Sequence, residues 1–232
     1  MQQNTAELIN YLEGFVSDRR KQRLTEVLAE RTRHMTLVLE DVYQGHNASA
    51  VLRSCDCFGV QDIHFIENRN KFKISEDVSM GATQWLTLKK YNDTENNTVA
   101  CLTELKKQGY RIVATSPHED ACGERSRTNK TIAELDVTKP FALVFGTEID
   151  GITETVSEMA DEFVKIPMYG FTESFNISVS AALCMNELMG RIRKQKVAYQ
   201  ISETEKQEIY LEWLKASISK VDLIVKEYLA KR

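Results

Sequence analysis

FALVFGTEIDGITE at residues 141–154 and VKIPMYGFTESFNISVSAALCMNELM at 164–189 carry the strongest local signals in the chain. Two apolar runs of strand length, Phe141–Phe145 and Phe163–Ile166, each end in a loop that contains glycine. The second loop leads directly into a helical pattern. In open α/β sheets, the loops that leave the carboxyl ends of strands bind ligands. We therefore expect the functional site in these two loops.

The preceding residues predict a strand, a helix and a second strand. Thr36–Leu39 reads as a strand, Ala48–Phe58 as a helix with Asn47 as its N-cap and Gly59 as its stop, and Asp62–Ile66 as the next strand. The same patterns predict further strands at Leu86–Tyr91 and Tyr110–Ala114 and a helix at Thr98–Gln108. This alternation predicts an α/β fold with a partly parallel sheet and helices on both faces.

Both ends of the chain look helical and basic. Ala6–Val16 has the spacing of a helix face, a second short helix surrounds Leu24, and amphipathic stretches centre on Val197 and on Ile209–Leu229. Residues 190–232 contain ten Lys/Arg against six Asp/Glu. Candidate phosphate contacts in the N-terminal segment are Arg19, Arg20, Arg23, Arg31 and Arg33. A solvated helix face is the alternative. We expect a helical extension at 1–34, a central domain at 35–195 and a second helical extension at 196–232.

Composition excludes several classes of protein. The 232 residues carry a net charge of −4, which argues against indiscriminate coating of nucleic acid. The five cysteines form no Cys-x-x-Cys pair and no zinc spacing, so we expect free thiols in a reducing cytoplasm. No apolar run approaches the length of a membrane span, and no signal peptide pattern precedes the first polar residues.

Familiar catalytic motifs are missing. Gly146 and Gly151 have the spacing of a phosphate-binding loop, but the next residue is Ile152 where that loop has lysine, which disfavours a nucleotide hydrolase. No G-x-G-x-x-G follows a strand, no G-x-S-x-G elbow occurs, and the histidines show no metal spacing. We expect no metal site. The pair Asn47 and Arg53, on a largely apolar helix, stands out instead, because an arginine in such company usually has a defined partner.

Three motifs together carry a family resemblance. NASAVLR at 47–53, LVFGTEIDGI at 143–152 and IPMYGFTESFNISVSAAL at 166–183 resemble, in this order, the motifs of the SPOUT superfamily of RNA methyltransferases. Within that superfamily the chain most resembles the TrmH-type tRNA 2′-O-ribose methyltransferases, and the leader LVLEDVYQGHN at 37–47 is also similar to that group. The resemblance implies an α/β domain with a deep trefoil knot near its C-terminus, a homodimer, and S-adenosylmethionine as methyl donor.

The resemblance also implies roles for individual residues. Those expected around the cofactor are Thr115, Gly146, Ile166, Met168 and Phe175, where Phe175 replaces a leucine common in the family. Those expected in catalysis are Arg53, Asn47, Glu148, Ser174 and Asn176, with helix capping as an alternative for Ser174 and Asn176. Arg53 is either a general base or, since a guanidinium has a pKa above about 12, a group that grips a phosphate and stabilises charge on the 2′-oxygen.

The substrate implied is tRNA, with guanosine-18 of the D-loop as the best candidate. Ribosomal RNA is the alternative within the class, but its enzymes often carry a longer N-terminal RNA-binding domain than 35 residues can form. A non-catalytic RNA-binding protein on the same scaffold is the alternative from another class. Retention of Asn47, Arg53, Glu148, Ser174 and Asn176 disfavours that last reading.

Overall fold

The computed structural model describes residues 2–71, 75–116, 129–147, 150–195 and 197–230, without the side chains of 2–4 and 129. Contacts between residues divide the chain into two compact units. One combines Met1–Arg31 with Gln200–Arg232, and the other is Thr32–Tyr199. The two terminal extensions, which the sequence presents separately, therefore form a single unit. In the described ranges, no helix is both long and apolar enough to cross a membrane.

The larger unit contains a seven-stranded sheet in which every pair of neighbouring strands is parallel. The strands are β1 Met35–Glu40, β2 Asp62–Ile66, β3 Thr87–Tyr91, β4 Arg111–Thr115, β5 Asn129–Thr131, β6 Phe141–Phe145 and β7 Glu162–Lys165. Their order in the sheet is β3-β2-β1-β6-β4-β7-β5. The predicted α/β class with a parallel sheet is confirmed.

Helices cover both faces of this sheet. The helices of this unit are α3 Gly45–Phe58, α4 Glu76–Ser79, α5 Asn97–Lys107, α6 Glu154–Met159 and α7 Ile177–Lys194. Leu37 and Leu39 of β1 pack in one apolar cluster with residues of α3 and α7, while Val38 packs in a second cluster with residues of α5 and α6. This alternation follows from the opposite directions of successive strand side chains. Strands buried on both faces explain the continuous apolar runs in the sequence.

In its described residues, 2–31 and 200–230, the smaller unit contains four helices. They are α1 Gln2–Glu13, α2 Asp18–Ala29, α8 Glu203–Ser217 and α9 Val221–Ala230. Leu12, Leu24 and Trp213 are buried within it. The guanidinium of Arg31 lies 5.2 Å from the centre of the Trp213 ring, a cation–π contact in the interior of the unit.

Two details of the predicted secondary structure are wrong, and one strand lies in a segment for which the sequence predicts no element. Helix α3 begins at Gly45 with Gln44 as its N-cap, so Asn47 lies in the first turn and is not the cap. The segment 119–139, which shows no pattern, contributes the short edge strand β5. The helix expected around Val197 is absent from the described residues 197–199, where Val197 and Tyr199 pack against the sheet core.

Candidate active site

A cavity of about 590 Å³ lies at the carboxyl ends of the central strands, between the two glycine-containing loops. The strands β4, β6 and β7 end there, and the loops that follow them line it. All five residues expected around the cofactor line this cavity, namely Thr115, Gly146, Ile166, Met168 and Phe175. Ser174 lines it as well. The structure thus brings together residues from three widely separated parts of the sequence.

The first loop closes on itself so tightly that Gly146 has no room for a side chain. A Cβ atom at Gly146 would lie 2.0 Å from the carbonyl oxygen of Gly151. The amide of Thr147 donates to the Gly151 carbonyl over 2.8 Å, and the Gly151 amide donates back to the Thr147 carbonyl over 3.2 Å. Gly151 has a φ of 70°, which favours glycine. The glycine spacing therefore builds a narrow bend that presents backbone to the cavity.

The second loop ends at Asn176, which caps helix α7. Its side-chain oxygen accepts from the Ser178 amide over 2.8 Å and from the Ser178 hydroxyl over 2.6 Å. Its side-chain nitrogen donates to the side-chain oxygen of Asn47 over 3.1 Å. Asn47 in turn donates to the Gln44 side chain over 3.2 Å. Asn176 therefore caps α7 and holds the side chain of Asn47 at the same time. In this way it joins the second loop to α3.

Arg53 projects from α3 into solvent. Its neighbours Val51, Leu52 and Cys55 are buried, but the Arg53 side chain is exposed. In the described parts of the chain its guanidinium has no hydrogen bond or ion pair within the protein. The expectation of a defined protein partner is therefore not met there. An exposed guanidinium in this position remains available to an external anion.

The carboxylate expected in catalysis, Glu148, lies outside the described residues. The charged side chains described along the cavity are Asp150, Glu154 and Lys165. Cys184 of α7 also lines it, and burial raises the pKa of its thiol to about 12. A thiol with that pKa is protonated at neutral pH and is a poor nucleophile. In the part of the chain that the structure describes, no group of three or more His, Cys, Asp or Glu side chains could hold a metal ion.

The five arginines expected to bind RNA have different environments. Arg19, Arg20 and Arg23 are exposed on α2. Arg31 is only 1% exposed and stacks on Trp213, so burial removes it from the set. The Arg33 guanidinium lies 2.9 Å from a carboxylate oxygen of Asp62 and is engaged within the protein. Arg31 and Arg33 follow the end of α2, and charge alone does not show whether residues in such a connecting segment pack into the interior.

The sequence does not predict the role of Glu40, a buried carboxylate directly behind the cavity. Glu40 at the end of β1 is completely buried, and it accepts hydrogen bonds from Thr153, which lines the cavity. One signal was present in the sequence, since Glu40 is a charged residue that directly follows the apolar run of a buried strand.

Comparison with known proteins gives a consistent family. The model of the SpoU rRNA Methylase family matches residues 34–186. The chain is 37% identical over 224 residues to a tRNA (guanosine(18)-2′-O)-methyltransferase of Borreliella burgdorferi, which covers 97% of each chain. It is 34% identical to the enzyme of the same name from Aquifex aeolicus, over 87% of this chain and 92% of the relative.

A solved structure supports the same relationship. The crystal structure of the A. aeolicus TrmH/SpoU tRNA modifying enzyme superposes with a TM-score of 0.74 and 32% sequence identity. The match covers 88% of this chain and 98% of that one. The parallel sheet, the loop cavity and these matches define an RNA methyltransferase fold. The chain belongs to the SpoU methylase family.

Proposed function

We propose that this protein transfers a methyl group from S-adenosylmethionine to a ribose 2′-hydroxyl of RNA, and that its substrate is guanosine-18 in the D-loop of tRNA. The observation that carries the proposal is the loop cavity, with Asn47 and Asn176 joined beside it. Similarity to tRNA (guanosine(18)-2′-O)-methyltransferases along nearly the whole chain supports the choice of substrate.

The residues present fit the donor. The volume of about 590 Å³ lies within the range of roughly 300–1,000 Å³ that is usual for small-molecule sites. Ile166, Met168 and Phe175 offer apolar surface to the adenine, and the bend at Gly146 offers backbone groups. The described charges along the cavity, those of Asp150, Glu154 and Lys165, sum to a negative value that suits a sulfonium cation. When bound, the donor supplies a methyl group that is already activated for transfer.

The remaining chemistry is alignment and charge control by the side chains of this protein. Asn176 fixes Asn47, and Asn47 orients the ribose or Arg53 so that the 2′-oxygen faces the cavity. Arg53 grips a phosphate of the RNA and stabilises negative charge on the 2′-oxygen as the hydroxyl proton passes to solvent water. Its exposure and freedom from ion pairs in the described chain leave its donors available for that contact. Ser174 and Glu148 complete the proposed catalytic set.

The helical unit supplies the preference for tRNA in this proposal. Arg19, Arg20 and Arg23 are exposed on one helix, where arginines can neutralise phosphates and release counterions. The division into extensions at 1–34 and 196–232 around a domain at 35–195 is part of the same proposal. Replacing Arg19 and Arg23 by alanine is expected to weaken tRNA binding and to reduce its salt dependence, with donor affinity unchanged.

Homodimer formation, the knot and the cytoplasmic location are also proposals. Val179 and Leu183 on the outer side of α7 are 44% and 41% exposed, and Phe171 in the adjoining loop is fully exposed, which suits burial against a second copy. The knot is proposed from membership of the SpoU methylase family alone. Four free cysteines in the described residues suit a reducing cytoplasm.

A labelled-donor assay tests the function. Purified protein is incubated with donor labelled in its methyl group and with unmodified transcripts of tRNA or of ribosomal RNA. We expect label in tRNA, with the modified nucleoside identified as 2′-O-methylguanosine. Label confined to ribosomal RNA would replace the substrate, and absence of transfer to any RNA would overturn the proposal.

A further inference from the structure

The carboxylate of Glu40 is the one buried acidic group that touches the lining of the cavity among the described residues. It lies at the carboxyl end of β1, with the side chain completely inaccessible to solvent. Burying a carboxylate is unfavourable unless hydrogen-bond donors replace the lost water. Glu40 has three such donors, and they come from two different segments of the chain.

Two of the three donors belong to Thr153. The Thr153 hydroxyl donates to Oε1 of Glu40 over 2.9 Å, and the Thr153 backbone amide donates to Oε2 over 3.2 Å. Thr153 ends the loop that begins at Gly146, lines the cavity, and caps α6 by accepting from the Val156 amide over 3.3 Å. The Glu40 carboxylate therefore fixes both the backbone and the hydroxyl of the residue at which the cavity loop ends.

The third hydrogen-bond donor to the Glu40 carboxylate comes from helix α5. The Thr98 hydroxyl, at the start of α5, donates to Oε1 of Glu40 over 2.6 Å. The side-chain nitrogen of Asn68, in the loop after β2, donates to the Thr98 hydroxyl over 2.8 Å. The adjacent Asp41 accepts from three backbone amides in that loop, those of residues 68–70. This rigid polar frame gives Glu40 a fixed position from which to hold Thr153.

We propose that Glu40 is a positioning residue for the methyl donor, and that it sets the conformation of the cavity loop through Thr153. The proposal rests on the proposed function for the identity of the ligand. Glu40 itself does not line the cavity, so it acts through Thr153 and not by contact with the donor. Loss of its second acceptor oxygen is expected to release the end of the loop and to weaken donor binding more than the chemical step.

The test compares Glu40→Gln with Glu67→Gln, a matched control. Glu67 is a buried residue that directly follows the neighbouring strand β2, and its carboxylate lies near Lys90 and Asn92, neither of which lines the cavity. We expect the Kd and KM for S-adenosylmethionine to rise about tenfold or more in Glu40→Gln, with a much smaller change in kcat. Glu67→Gln should leave the Kd and KM close to those of the parent protein.

Variants of Thr153, the hydrogen-bond partner of Glu40, test the proposal even if Glu40→Gln folds poorly. Thr153→Val removes the hydroxyl and should raise the Kd for the donor. Thr153→Ser keeps the hydroxyl and should bind the donor with the Kd of the parent protein. The double variant Glu40→Gln/Thr153→Val should lose less affinity than the product of the two single losses. Unchanged donor affinity in Thr153→Val or in folded Glu40→Gln, or equal losses in the Glu67→Gln control, would overturn the proposal.

Hydrogen exchange separates this inference from the proposed function. Without any ligand, amide exchange at residues 151–156 should accelerate in Glu40→Gln and not in Glu67→Gln. If the parent protein fails to bind the donor at all, the proposed function fails, and the exchange result still decides whether Glu40 holds the loop. Equal exchange in parent and Glu40→Gln proteins would refute that role.

Discussion

The side-chain nitrogen of Asn176 donates to the side-chain oxygen of Asn47 over 3.1 Å, across 129 positions of the sequence. This bond joins the loop that lines the cavity to the helix that carries Arg53. Since the two asparagines come from separate motifs, the contact brings these motifs together beside one cavity. It also gives a way to separate catalysis from stability.

Asn176→Asp should reduce catalysis with little change in stability. Aspartate keeps the oxygen that caps α7 through Ser178, and a negative charge is favourable at a helix N-terminus, but the donor to Asn47 is lost. We expect kcat to fall roughly tenfold to a hundredfold through misalignment. Single-turnover methyl transfer and thermal unfolding measure the two effects. Asn176→Ala, which also loses the cap, should lose about 1 kcal/mol of stability. An active Asn176→Asp protein would contradict the assignment.

Gly146→Ala should abolish donor binding. The added Cβ would lie 2.0 Å from the Gly151 carbonyl oxygen, so the loop must open to accept it. Overpacking of this kind costs about 1–3 kcal/mol or more. Calorimetric titration with S-adenosylmethionine measures the loss. Gly190→Ala is the control, because a Cβ there meets no atom within 4 Å inside helix α7. Tight binding by Gly146→Ala would show that the bend does not shape the site.

Arg53→Ala should slow turnover strongly while donor affinity and stability stay unchanged. The side chain is exposed, so its removal should alter the unfolding free energy by less than about 0.5 kcal/mol. We expect kcat/KM for tRNA to fall by a factor of about 10² to 10³. Arg53→Lys keeps the charge but lacks the planar fork, and it should recover only part of the activity. Full methylation by Arg53→Ala would remove this residue from the mechanism.

Stability should decline in mild acid partly through His64. Burial, with a smaller contribution from Lys89, lowers the pKa of His64 to about 4 from its usual value of 6.5. The unfolded chain therefore binds a proton below pH 6.5 that the folded protein refuses until about pH 4. The contribution of neutral His64 to the free energy of unfolding is fully present above pH 6.5. It falls by roughly 3 kcal/mol as the pH decreases to about 4.

The variant His64→Phe isolates this effect. Phenylalanine keeps the stacked contact with Tyr91 but cannot take up a proton. Unfolding measured at pH 7.5 and pH 5 should show a smaller loss in the variant than in the parent protein. Parallel losses in both proteins would show that His64 does not contribute to the acid sensitivity.

The sequence predicts the central strands because they are apolar runs bounded by turn residues. Asp62–Ile66 and Phe141–Phe145 have the predicted bounds. The sequence does not predict the edge strand β5, because Asn129–Thr131 is short and polar and, in the described residues, pairs only with β7. The sequence does not reveal the start of α3, because its N-cap residue Gln44 makes no side-chain capping hydrogen bond. Asn47 is a residue type that is common at N-caps, and it therefore predicts a helix start that is too late.

The candidate site was predicted less completely than the fold. Motif resemblance located the residues that now line the cavity, but it did not reveal which of the N-terminal arginines face solvent. The link between Glu40 and Thr153 spans 113 positions and depends on the sheet order, so no local pattern could show it. The burial of Arg31 against Trp213 likewise depends on the packing of helices from opposite ends of the chain.

Methylation of a tRNA that lacks the target hydroxyl group tests the proposed reaction. Two tRNA transcripts are prepared that differ by a single oxygen atom, with guanosine or 2′-deoxyguanosine at position 18, and each is incubated with the protein and methyl-labelled S-adenosylmethionine. We expect the ribose transcript to gain one methyl group per molecule and the deoxy transcript to gain none. Equal labelling of the two transcripts would contradict it.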